Sequence, residues 1–114
     1  MTYIKKLKHL FHGIKKSFII AKKKNVIIFA SVFDKTSLKL LEKINCPAYK
    51  IASPEITDVP LISAVAKTKK PIIISTGMAN LDEIELAYKT AKKYGSKDVT
   101  LLYCVSNYPS KFED

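Results

Sequence analysis

A lysine stands inside an otherwise apolar run, Ala48-Tyr49-Lys50-Ile51-Ala52, and a carboxylate, Glu55, follows close behind it. An unpaired charge in a buried strand costs on the order of several kcal/mol, or gives way by a shifted pKa. Lys50 therefore has three readings. Its strand lies at a sheet edge, its ammonium pairs with Glu55, or it is held as a cation for an anionic ligand. Glu55 is a solvated loop carboxylate or, beside a buried lysine, a general base or a group that orders a substrate hydroxyl. Farther along, Ser75-Thr76-Gly77 sets two hydroxyls before a glycine. Such a turn presents N–H groups and hydroxyls to phosphate, and it also makes an ordinary βα turn.

The elements that position these residues come from hydropathy. Four short apolar runs, at residues 26–30, 48–52, 71–74 and 99–103, are β-branched or aromatic in character and short enough for buried strands. Their starts lie 22 to 28 residues apart, the length of a βα unit. Helical stripes lie between them over residues 35–44, 59–67 and 81–94, and a fourth precedes them over residues 3–24, weakened by Gly13. Asp34, Asp58 and Asn80 are expected N-caps, with Glu83 completing a capping box. Pro60 suits a first helical turn and Gly95 a helix stop. The order is α-β-α-β-α-β-α-β, which implies a parallel sheet of about four βα units.

In parallel α/β folds ligands sit beyond the C-terminal ends of the strands. Ser31, Phe33 and Asp34 follow the first run, and Ser53 and Glu55 follow the second. Ser75, Thr76 and Gly77 follow the third, and Ser106, Asn107 and Tyr108 follow the fourth. Every strand end carries hydroxyls or amides. Even spacing favours a barrel over an open sheet, although four strands cannot close a barrel of eight.

The chain has 114 residues, enough for one small core and too few for most α/β barrels, which run to roughly 250. Its formal net charge is +10, and all 20 basic residues are lysines. Eight of them fall in residues 1–24, where there is no acid; from Asn25 onward 12 lysines face 10 acids. Such a surplus suits nucleic acid, an anionic membrane or a phosphorylated metabolite, or reflects lysine-rich usage alone. With no arginine, the bidentate contacts typical of base readout are unavailable. Cys46 and Cys104 form no CxxC pair, so zinc and redox motifs lack support, and both are expected as small buried hydrophobes. His9 and His12 fall in the first helix with no metal set around them. No apolar run reaches 18 residues, and the basic start has no cleavage site of signal-peptide type, so a cytoplasmic protein is expected.

Four segments in register resemble a known family, the sialic acid synthases. FASVFDKTSL from residue 29 is similar to their SPFD strand end. PAYKIASPEITDVPLI from residue 47 looks like their AYKIASxE segment, and KPIIISTGMA from residue 70 resembles KPIIxSTGMA. LYCVSNYP from residue 102, with Glu113 and Asp114 behind it, resembles LLxCTSxYP…ED. Val32 replaces the usual proline of SPFD.

The resemblance implies N-acetylneuraminate, legionaminate or pseudaminate synthase chemistry. Phosphoenolpyruvate condenses with an N-acetylated hexose and releases phosphate, in a divalent-metal-dependent (β/α)8 TIM barrel serving carbohydrate biosynthesis. It implies contacts of Lys50 and Ser53 with phosphoenolpyruvate, of Ser75 with its phosphate, and Ser31 nearby. It implies a catalytic role for Glu55 between the two substrates, and sugar contacts for Ser106 and Tyr108. The match corresponds to strands three to six of the parent barrel. The metal ligands (Mn or Mg), the other four strands and the antifreeze-like domain are expected outside this chain. The expected organisation is a basic helical segment, residues 1–24, followed by a partial barrel domain, residues 25–114. The expected partners are the two substrates, with self-association or a missing half completing the barrel, and neither nucleic acid nor membrane. The expected alternative is a truncated remnant, or a barrel-completing subunit without catalysis of its own.

Overall fold

Helix starts in this chain are set by side chains that satisfy the first free N–H groups. The computed structural model describes residues 2–105, 109 and 111–113. Helix α1 (Tyr3–Lys23) is capped by Thr2, whose hydroxyl accepts from Lys5 N–H. Asp34 caps α2 (Lys35–Lys43): its carboxylate accepts from Ser37 N–H at 2.7 Å, and the Ser37 hydroxyl turns back to Asp34 N–H. Asp58 caps α3 (Val59–Ala66) through Leu61 N–H, with Pro60 in the first turn. Asn80 and Glu83 close the expected capping box on α4 (Leu81–Lys93), at 2.9 and 3.1 Å. Such caps each hold about 1 kcal/mol of helix stability. Gly95 stops α4 with φ +124°, and Asn25 and Asn45, both at φ 57°, follow the last turns of α1 and α2 in the left-handed region.

The strands are β1 (Ala30–Ser31), β2 (Tyr49–Ile51), β3 (Ile72–Ser75) and β4 (Val99–Leu102), all parallel and ordered β1-β2-β3-β4. The sheet is open, as four strands require. The first strand differs from the expected 26–30. β2 begins at Tyr49, whose partner is Ala30. Residues 26–29 thus run past the end of β2 with no strand alongside among the described residues.

Period-two alternation divides the sheet into two faces. Tyr49, Ile51, Ile72 and Ile74 turn to the helices and are fully buried with Leu41, Leu61, Ile62, Val65, Ala87 and Ala91. The other face carries Ser31, Lys50, Ile73 and Thr100, matched strand to strand in one row. The Tyr49 hydroxyl, at the bottom of the core, donates to Glu42 Oε1 at 2.8 Å, and Glu42 Oε2 pairs with Lys70 Nζ at 3.1 Å. Burial, reinforced by the Glu42 carboxylate, pushes the Tyr49 phenol well above its ordinary range. No helix among the described residues is long and apolar enough to cross a membrane.

Candidate functional site

Of the expected site residues, Ser31, Lys50, Ser53, Glu55 and Ser75 lie on or just beyond β1, β2 and β3. Lys50 occupies the middle of β2, which has β1 on one side and β3 on the other, so it is not on an edge strand. Nor does it pair with Glu55: the ion pairs among the described residues are Lys70–Glu42 and Lys89–Glu85. Lys50 thus lies on an inner strand and has no ion pair with Glu55 among the described residues. Ser31, the last residue of β1, stands next to Lys50 in register, and both are half-buried.

Beyond β2 the chain tightens into a 3₁₀ turn, Ser53–Glu55, started by Pro54. Ser53 is 7% exposed, and Ser75, the last residue of β3, is 3% exposed. Glu55 sits on the same turn. Its Oε2 is buried without a hydrogen-bond partner among the described residues. A buried polar atom left unpaired costs about 1–3 kcal/mol, and such atoms concentrate where another group is to be met.

Cys104, two residues beyond β4, completes the cluster. Its Sγ lies 3.0 Å from Ser53 Oγ. The thiol is drawn below its ordinary value, first by the Ser53 hydrogen bond, then by Gly77 N–H, the Ser75 hydroxyl and the Lys50 charge, against the opposing effect of burial. Sequence reasoning treated Cys104 and Cys46 alike, and only Cys46 behaves as the expected buried hydrophobe. Cys46 is fully buried, its Sγ donates to Ala48 O at 3.1 Å, and burial pushes its thiol up. Cys104 follows directly on the fourth apolar run, and its sequence neighbours carry no sign of the Ser53, Ser75 and Gly77 contacts that set it apart.

The Ser75-Thr76-Gly77 turn is less free than its sequence suggested. Thr76 spends both its N–H (2.9 Å) and its hydroxyl (3.1 Å) on Leu102 O. Gly77 is there for room: a Cβ at this position would lie 2.1 Å from Cys104 O and 2.7 Å from its Sγ. Ser75 is thus the residue of the turn that turns its hydroxyl into the cluster. The backbone of Val32 donates to Lys50 O at 3.0 Å, a bond that a proline in the SPFD pattern would not make. Ser106, Asn107 and Tyr108 lie outside the described residues, and so does Asp114.

The arrangement is one ammonium on a sheet face with the hydroxyls of Ser31, Ser53 and Ser75 and a polarised thiol near it, a set of donors suited to an anion. It does not suit a metal: no three His, Cys, Asp or Glu side chains converge among the described residues. His9 and His12 are exposed on α1, and no group of three potential ligands includes them among the described residues.

The NeuB family profile matches residues 1–114. The chain is 50% identical over 97 residues to a pseudaminic acid synthase of Helicobacter pylori, covering 85% of this chain and 28% of that protein. It is 40% identical over 116 residues to an N,N'-diacetyllegionaminic acid synthase of Campylobacter jejuni, covering 100% of this chain and 35% of that protein. The crystal structure of N-acetylneuraminic acid (sialic acid) synthetase from Leptospira borgpetersenii superposes with a TM-score of 0.79 at 38% identity, over 88% of this chain and 36% of that one. The chain therefore spans 28 to 36% of the length of these relatives.

Proposed function

The chain belongs to the NeuB family, and on that premise we propose that it carries the phosphoenolpyruvate-binding part of a nonulosonic acid synthase barrel. In the proposed reaction C3 of phosphoenolpyruvate attacks the aldehyde of an open-chain N-acetylated hexose and forms the C–C bond. Addition of water then releases phosphate. The Lys50 ammonium balances the charge of phosphoenolpyruvate, and Ser53 donates to it. Ser75 holds the phosphate, with Ser31 beside Lys50. Glu55 stands between the two substrates as the acid–base group, and Ser106 and Tyr108 face the sugar. The resemblance implies a divalent ion, but the described residues do not fit one, and no step here runs through it. The proposed compartment is the cytoplasm.

The observation that carries this reading is Lys50, a cation on a central strand with no carboxylate paired to it among the described residues. The unpaired Glu55 Oε2 supports it. Titration of the chain with phosphoenolpyruvate, followed by calorimetry and phosphorus NMR, tests it. Saturable binding is expected, reduced at least tenfold in Lys50→Ala, which is about 1.4 kcal/mol. No binding, or equal binding by the variant, overturns it.

A second reading is favoured by the unpaired edges at β1 and β4. On it the chain binds phosphoenolpyruvate but turns nothing over until the barrel is completed. Steady phosphate release by the chain alone, given both substrates, would exclude that.

A further inference from the structure

The segments beyond β2, β3 and β4 meet at one sulfur. Cys104 Sγ lies 3.0 Å from Ser53 Oγ, and the Ser75 hydroxyl and Gly77 N–H also bond to it. The glycine makes room for it, since a Cβ on residue 77 would lie 2.7 Å from Sγ. Ser53 and Ser75 are both buried, so their hydroxyls have little water to turn to. These are two of the hydroxyls assigned above to the ligand.

A serine hydroxyl carries one proton. A thiolate can only accept, so an ionised Cys104 draws the Ser53 and Ser75 protons and the Gly77 N–H onto itself. A neutral thiol carries a proton of its own. It donates that proton to one hydroxyl, which is then free to give its own elsewhere. The donors that suit an anion are thus released when the sulfur is protonated.

Charge acts in the same sense. Lys50 steadies the thiolate, and it is also the cation that would balance an incoming anion. Two anions drawn to one cation repel each other, and each disfavours the other's charged form. Among the described residues, β2 brings Lys50 to this region and the turn beyond it brings Glu55. Ser75, Thr76 and Gly77 bring no charge, and Tyr103 precedes the cysteine in the segment beyond β4.

We infer that Cys104 is the positioning residue of the anion site, its sulfur and the bound ligand competing for the hydroxyl protons of Ser53 and Ser75. The ligand is the phosphoenolpyruvate proposed above, and the inference rests on that reading. The thiol form binds, and ionisation of the thiol withdraws the two hydroxyls. Affinity therefore falls as pH rises through the Cys104 titration, and by linkage the bound ligand pushes that titration upward. The S–H proton goes to solvent on ionisation and is taken up again on binding.

Calorimetric titration of the reduced chain with phosphoenolpyruvate, from about pH 5.5 to about pH 9.5, tests this beside Cys104→Ser. Serine keeps a hydrogen-bonding atom in place and does not titrate in this range. Titrating groups of the ligand and of the rest of the chain act alike in both proteins. The parent-to-variant ratio of affinities is expected to fall about fivefold or more as pH rises through the thiol titration. Repeating the parent titration in buffers of different ionisation enthalpy counts protons and needs no variant. Net uptake on binding is expected near the pH at which the free thiol ionises, and net release or no exchange there overturns the inference.

A cysteine of structural importance alone would give a ratio that is constant with pH. That result overturns the inference and leaves the proposed function standing, as does a ratio that rises with pH. Absence of phosphoenolpyruvate binding by both proteins at every pH overturns the inference and the proposed function together.

Discussion

The Ser53 hydroxyl and the Cys104 thiol lie 3.0 Å apart across 51 residues of chain. The contact joins the region just beyond β2 to the region just beyond β4, over the end of β3, where Ser75 and Gly77 also reach the sulfur. It gathers the loops after three successive strands around one atom.

Cys104 should therefore react as a thiolate at lower pH than an ordinary cysteine. The alkylation rate with iodoacetamide, followed by mass spectrometry against pH, is expected to inflect below the usual thiol value. Ser53→Ala removes the largest cause and is expected to move the inflection back up. Cys46, whose thiol is pushed the other way by burial, should stay unmodified in the folded chain. A Cys104 profile unchanged by Ser53→Ala would contradict the assignment.

Gly77→Ala is expected to be destabilising although it adds one methyl group. The new Cβ would fall 2.1 Å from Cys104 O, a backbone atom that cannot swing away. Overpacking of this kind costs about 1–3 kcal/mol. Urea denaturation measures it, and phosphoenolpyruvate affinity should fall too, because the loops after β3 and β4 must separate.

Tyr49 links stability to high pH. Its phenol is held protonated in the folded chain by burial and by Glu42, so its folded pKa lies above the unfolded value, near 10.0. A raised pKa gives stability that is whole below the unfolded value and is lost as pH climbs past it. The chain is expected to lose stability above about pH 10, and Tyr49→Phe to lose less over the same range. At pH 7 the same variant should cost about 1 kcal/mol, the worth of its hydrogen bond to Glu42.

Asp34→Ala separates a structural acid from a catalytic one. Asp34 accepts from Ser37 N–H at 2.7 Å and starts α2. Thermal denaturation should show a loss of about 1 kcal/mol. Phosphoenolpyruvate affinity should be unchanged, in contrast to Lys50→Ala.

Much of the fold was legible because its signals are local. Asp34, Asp58, Asn80 and Gly95 mark helix ends by chemistry within three or four residues, and each does what its type and position suggest. Asn25 and Asn45 do the work of glycine at two further helix ends. They were readable in principle, since asparagine tolerates the left-handed region. The first strand was misjudged for a non-local reason: the apolar run 26–29 has strand character, but a strand exists only where a neighbour lies alongside. Lys50 was legible as a misfit in an apolar run. Whether it lay at an edge, in an ion pair or free depended on the strand order and on where Glu55 points, which no spacing reveals. The character of Cys104 came from Ser53, Gly77 and Ser75, and a thiol's own neighbours in sequence say nothing of partners that distant.

The strand order β1-β2-β3-β4 is also the order of synthesis. Each strand finds its partner one βα unit back along the chain, so every loop closed during folding is short and its entropy cost is small. Topologies of this local kind fold fast. As the chain leaves the ribosome, β2 can dock on β1, then β3 on β2, each addition burying the preceding helix before the next strand emerges. Among the described residues, β2, β3 and β4 each meet a partner strand that has already been made.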